Sequence, residues 1–196
     1  RYLQASRDTV VIVTDKLKFM TIRKNIFVII GSASINSANE KLVDNFVDLT
    51  NGFFNLLVFK ELKSLPHFNP ELSAENPPSR IVEFRKSIEN ADGIIICTPE
   101  YVFSIPSGLK NAIEWCVSTT VFSDKPVGII TASASGQKGH EELQLIMKTV
   151  MAKFTSDTTL LIPGIKGKIT EEGQITDNKT KEDFMQFIDS FTSILN

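Results

Sequence analysis

From Met20 onward, short apolar runs alternate with stretches whose apolar residues recur at helical spacing. Ile26–Ile30 is a near-continuous β-branched run ending at Gly31. Such a run predicts a strand buried on both faces of a parallel sheet. Phe54–Phe59, Gly93–Thr98, Pro126–Thr131 and Thr158–Ile162 repeat the pattern, the last stopped by Pro163-Gly164. Between them, Ser37 to about Thr50 predicts a helix with Leu42, Phe46 and Leu49 on one face. Ser37 and Glu40 stand at the spacing of a capping box. Ser79–Asn90 carries Ile81, Phe84 and Ile88 on one stripe, and Pro106 opens a helix reaching about Ser118. Proline suits that first turn because its missing N–H has no partner there. Gly139–Phe154 spaces Leu143, Met147, Val150 and Phe154 as a helix does, and Lys181–Leu195 turns Phe184, Phe187, Ile188, Phe191 and Leu195 inward. Residues 63–80 hold four prolines and read as a loop.

Five strands alternating with five helices predict an α/β fold, a doubly wound parallel sheet with helices on both faces. Residues 20–196 form one domain on this reading, and residues 1–19 an N-terminal extension. Within that extension, Thr9–Thr14 is weighed as an additional strand; Asp8 and Asp15 bracket it. The length, 196 residues, suits a single α/β domain.

Charge narrows the function classes. Lys plus Arg is 21 and Asp plus Glu 23, a formal net charge of −2. A nucleic-acid binder usually needs a basic face, so no such partner is expected. No run approaches the ~18–20 apolar residues of a membrane span, so no membrane partner is expected either. Cys97 and Cys116 lie in apolar stretches and are expected to be reduced and buried, in a cytoplasmic setting.

In an open α/β sheet, ligands bind beyond the carboxyl ends of the strands. Three loops fall there. Gly31 to Asn39 is small and hydroxyl-rich and leads into a helix, whose N-terminal N–H groups suit a phosphate. Ser32, Ser34, Ser37 and Asn39 add side-chain donors; the alternative is a polar turn with Ser37 as an ordinary N-cap. Thr98 to Pro106 places Tyr101 and Phe103 beside the presumed ligand, or else over the core edge. Ser133 to Gly139 carries Gly136 and Gly139, which admit close backbone approach, or is an ordinary βα loop. Neither a Walker loop nor G-x-G-x-x-G is present.

Together these residues resemble the NADPH-dependent FMN reductase family of the flavodoxin-like fold. Gly31-Ser32-x-Ser34-x-x-Ser37-x-Asn39 is similar to that family's phosphate loop, G-S-x-R-x-x-S-x-N. Thr98-Pro99-Glu100-Tyr101, continued by Ser104-Ile105-Pro106 and Leu109 to Trp115, resembles T-P-E-Y-N-x-S-x-P-G-x-L-K-N-A-I-D-W. Ser133 to Gly139 resembles a third flavin-contacting loop, and Gly173 to Asp177 a G-x-L-x-D turn. The resemblance implies a five-stranded sheet in the order 2-1-3-4-5. It implies FMN with its phosphate on Ser32, Ser34, Ser37, Ala38 and Asn39. The flavin ring would lie against Pro99, Glu100, Tyr101 and Val102 and against Ser133, Gly136 and Gln137. It also implies NADPH or NADH as donor, a small acceptor such as free flavin or a quinone, and a homodimer or homotetramer. The helix containing Trp115 is the candidate interface, with core packing as the alternative.

Two departures stand out. Ser34 replaces the family's arginine, which removes a charge-assisted phosphate bond and predicts weaker FMN binding unless another cation arrives. Val102 stands where asparagine is usual. The cofactor carries the chemistry in such proteins, so no catalytic acid or base is assigned. A flavin-binding electron carrier without NAD(P)H activity is the alternative, and a flavin-free scaffold or sensor a further one. Ser107 to Lys110 matches S-x-x-K without its partner motifs. His67 is expected at the surface, His140 also there with contact to a ligand beside the third loop as the alternative, and Glu171 and Glu172 in a charged turn.

Overall fold

The computed structural model describes residues 23–196; the region 9–14, weighed as a strand, lies outside them. Among the described residues five strands form one sheet: β1 (Lys24–Ile30), β2 (Phe54–Phe59), β3 (Gly93–Thr98), β4 (Val127–Ser133) and β5 (Thr159–Pro163). Their order is β2-β1-β3-β4-β5 and every pairing is parallel, as the resemblance implied. Among the described residues six α-helices accompany them: α1 (Ala38–Thr50), α2 (Pro70–Ser73), α3 (Ser79–Asn90), α4 (Ser107–Glu114), α5 (Gln137–Thr149) and α6 (Asn178–Ile194).

The two faces of β1 explain the layering. Side chains alternate along a strand, and Ile26, Val28 and Ile30 pack with Leu42 and Phe46 of α1 and Phe184 and Phe191 of α6. Phe27 and Ile29 face the opposite way, against Ile81 and Phe84 of α3, Leu109 of α4 and Leu143 of α5. Both faces are covered, which is why the strand reads as an unbroken apolar run. Gly128 lets α6 approach β4, because a Cβ there would stand 2.7 Å from the Phe187 ring.

Helix ends depart from the sequence pattern where distant contacts decide them. The α1 N-cap forms as expected, with Ser37 Oγ accepting from Glu40 N at 3.2 Å. The reciprocal half does not: Glu40 Oε2 accepts from Asn36 N at 3.0 Å, and Oε1 from Lys60 Nζ at 2.6 Å. Leu49, placed on the inward stripe, is 45% exposed. The α5 helix ends at Thr149, short of Phe154, because Met151 turns left-handed (φ 60°) and Lys153 O accepts from Val127 N. The α6 helix starts at Asn178, one turn early, with Asp177 accepting from Thr180 N at 2.8 Å.

Trp115 is wholly buried, its Nε1 donating to Pro66 O at 2.8 Å and its ring edge-on to Phe68. It belongs to the core, not to an interface. Truncating it would cost about 3–5 kcal/mol. Cys97 and Cys116 are free and buried, as expected, and burial pushes the Cys116 thiol up to about 12.

Candidate functional site

Parallel strands end together, so the loops after β1, β3 and β4 gather at one edge of the sheet. They border a cleft of about 910 Å3, closed on its far side by the chain after β5. Ser32, Ser34, Ser37, Ala38, Asn39, Pro99, Tyr101 and Ser133 all line it. Glu100, Val102, Gly136 and Gln137 do not.

The β1 loop is built on Gly31, whose N–H donates to Cys97 O at 2.8 Å. A Cβ there would stand 2.3 Å from Thr98 Oγ1, so only glycine fits between β1 and β3. Beyond it, Ser34 N donates to Ser32 Oγ at 3.2 Å. At the head of α1, the N–H groups of Ser37, Ala38 and Asn39 find no acceptor among the described residues. The helix dipole adds partial positive charge at that point. The side chains are arranged differently from the expectation. Ser37 Oγ caps the helix and keeps its own proton to donate. Asn39 is 3% exposed, and its Nδ2 donates to Ala132 O at 3.1 Å. Cys97 Sγ in turn donates to Asn39 O and Oδ1. The Asn39 amide therefore ties α1 to β3 and β4 and is not free for a ligand.

Tyr101 reaches from the second loop into the first, with Oη 3.5 Å from Ser32 Oγ. Hydrogen bonding from the Ser32 and Ser34 hydroxyls, assisted by the Ala33 N–H, holds its phenol below the ordinary range against partial burial. The loop thus favours an anionic oxygen at its mouth, the property a phosphate needs.

The second loop turns sharply. Tyr101 N donates to Ser104 O at 2.9 Å, and Ser104 N to Tyr101 O at 3.1 Å. Between them Val102 (φ 53°) and Phe103 (φ 59°) are both left-handed. Asparagine and glycine tolerate that region and a β-branched residue does not. Val102 is 94% and Phe103 76% exposed, so this turn does not cover the core.

Two carboxylates lock the second loop to the third. Glu100 Oε2 accepts from Gly139 N at 2.8 Å and Oε1 from Gly136 N at 3.3 Å, capping α5 across 39 residues of sequence. Glu142 of α5 accepts from Ser104 Oγ at 2.6 Å and Ile105 N at 2.9 Å. Ser133 Oγ donates to Glu100 O at 3.3 Å. Glu100 and Gly136 therefore bond each other, and Gln137 Nε2 donates outward to Glu141. His140, expected at the surface, is buried with Nδ1 2.9 Å from Thr131 Oγ1; burial lowers its pKa. His67 is exposed, as expected.

Two cations escaped the sequence reading. Lys41 and Lys166 line the cleft, and Lys41 Nζ donates to Thr170 O at 3.3 Å. Lys41 lies in the first turns of α1 and Lys166 in the loop after β5, positions that the ligand-edge rule covers. They bring positive charge to a loop whose arginine position is Ser34.

Residues 24–164 match the family model described as NADPH-dependent FMN reductase. A quinone reductase of Pseudomonas putida is 27% identical over 177 residues, 86% of this chain and 93% of that protein. An NADPH:quinone oxidoreductase of Arabidopsis thaliana is 29% identical over 166 residues, 81% of this chain and 85% of that protein. Among solved structures, the flavoenzyme NAD(P)H:(acceptor) oxidoreductase FerB from Paracoccus denitrificans superposes with a TM-score of 0.71. It is 25% identical and covers 88% of this chain and 97% of its own.

Proposed function

We infer the function from one premise: the chain belongs to the NADPH-dependent FMN reductase family. It is an oxidoreductase that uses FMN and NAD(P)H. We propose that it passes hydride from NAD(P)H through bound FMN to a quinone, free flavin or similar small acceptor. The observation that supports the site most directly is the head of α1. Three backbone N–H groups there lack acceptors among the described residues, beside a loop that favours an anionic oxygen. Those residues fit a phosphate.

When bound, FMN supplies the hydride-accepting ring, and the protein supplies placement and electrostatics. Ser37, Ala38 and Asn39 hold the phosphate through their N–H groups. Ser32, Ser34 and Tyr101 border it with hydroxyls, and Lys41 and Lys166 offset its charge. The backbone of Pro99 and Tyr101, together with Ser133, would flank the ring. Glu100, Gly136 and Glu142 act by position, holding the second and third loops at a fixed separation. Gln137 opens α5, with its side chain bonded to Glu141.

No helix among the described residues is long and apolar enough to cross a membrane. We place the protein in the cytoplasm, which the free buried thiols support. We also propose a homodimer or homotetramer; the exposed Phe103, in the turn after Tyr101, supports a covered surface there. The test is reconstitution with FMN, desalting, and flavin absorbance against protein. Stoichiometric retention is expected. Complete loss of flavin on desalting would contradict FMN as a resident cofactor.

A further inference from the structure

The β1 loop is the least packed part of the phosphate site. Ala33, Ser34, Ile35 and Asn36 are all exposed. From Ser32 to Asn36, no backbone group bonds another backbone group among the described residues. Side chains hold the loop instead. At its first end Ser32 Oγ accepts from Ser34 N at 3.2 Å. At its second end Glu40 Oε2 accepts from Asn36 N at 3.0 Å. Asn36 is left-handed (φ 52°) and turns the chain into Ser37 and the head of α1.

Glu40 is tied at three atoms. Its N–H donates to Ser37 Oγ, its Oε2 takes the Asn36 N–H, and its Oε1 accepts from Lys60 Nζ at 2.6 Å. Lys60 directly follows β2, so the carboxylate links the loop to the end of a strand. Asn36 lines the cleft and Glu40 does not. By charge alone, a carboxylate in the first turn of α1 opposes an anion bound at the same helix end. Lys60 offsets that charge, and the two oxygens of Glu40 are spent on geometry.

We propose that Glu40, braced by Lys60, is the positioning residue of the phosphate loop. It fixes the Asn36 turn and so aims the Ser37, Ala38 and Asn39 N–H groups at the ligand. Groups that bind directly keep their geometry only when the residues behind them are themselves held. This assignment rests on the FMN reading above.

The test sets position against charge, using the full chain without flavin, titrated with FMN or riboflavin and followed by fluorescence. Glu40→Ala removes a negative charge beside an anion site, which on charge alone would tighten FMN. The positioning role gives the opposite sign: FMN binds about tenfold more weakly, and riboflavin, which lacks the phosphate, binds as before. Glu40→Gln keeps an oxygen for the Asn36 N–H and should restore FMN affinity to within about threefold. Amide hydrogen exchange at Asn36, which needs no flavin, should quicken in Glu40→Ala and not in Glu40→Gln. FMN affinity unchanged or tighter in Glu40→Ala, an equal loss for riboflavin, no rescue by glutamine, or unaltered exchange would each overturn the assignment. Should Glu40→Ala fail to fold, Lys60→Met takes its place. It should weaken FMN several-fold at low salt and less at high salt, and unchanged or tighter binding would overturn the assignment. Faster Asn36 exchange in Glu40→Ala, with FMN bound by neither the variant nor its parent, would overturn the FMN reading and leave the loop assignment standing.

Discussion

Replacing Ala38 with proline removes one N–H from the head of α1 and leaves the helix able to form. Ala38 is the first helical residue, where proline is favoured because that N–H has no intrahelical partner. The residue before it, Ser37, is already extended (φ −69°, ψ 157°), the conformation that a following proline requires. The two consequences have opposite signs. Restricting the unfolded chain should stabilise the fold by about 0.4–1 kcal/mol. Losing one hydrogen bond to a charged phosphate should weaken FMN binding by about 1.5–3 kcal/mol, roughly 10- to 150-fold. The assays are urea unfolding of the flavin-free protein and fluorescence titration with FMN. Riboflavin, which lacks the phosphate, serves as control and should bind both proteins alike. Unchanged FMN affinity in a folded variant would refute the phosphate assignment. Destabilisation would refute the cap geometry.

Three further outcomes follow from the structure. Val102→Asn should relieve left-handed strain at a residue with almost no packing to lose, stabilising by about 1 kcal/mol. In a domain of this size that is a rise in melting temperature of about 2–4 °C, the same at two protein concentrations; a lower melting temperature would count against the turn. Asn39→Ala leaves Ala132 O without its donor inside the protein and should cost about 1–3 kcal/mol in urea unfolding; a neutral result would mean that the tie is dispensable. Burial holds the His140 pKa below its ordinary 6.5, so the unfolded chain binds that proton more readily. The corresponding stability is complete above about pH 6.5 and is lost as pH falls through the folded value. His140→Gln should flatten the acid side of the stability profile; an unchanged slope would place the titration elsewhere.

The layers of this fold were legible because its strands are buried on both faces. Runs such as Ile26–Ile30 and Gly93–Thr98 have no polar interruption, and strands of that kind need helices above and below. What escaped was set by contacts distant in sequence. The α5 helix starts at Gln137 because Glu100, from another loop, caps it. It ends early because Lys153 must pair with Val127. Leu49 fits the α1 stripe by spacing, yet 45% of it stays exposed. His140 read as a surface residue beside a loop, and only Thr131 on the neighbouring strand shows why it is inside. At the site, the phosphate loop was legible from its small and hydroxyl residues and their lead into a helix. The separate tasks of those residues were not: Asn39 looks like a ligand donor until Ala132 is seen to take its amide. Lys41 and Lys166 carry no local motif, and their convergence needs the fold.

The most direct test of the central claim is an anaerobic titration of the FMN-reconstituted, desalted protein with NADPH, followed by flavin absorbance. The account predicts that the flavin stays with the protein and its oxidised band bleaches with NADPH, then recovers when a quinone is added. Flavin that remains bound and oxidised in excess NADPH would contradict it.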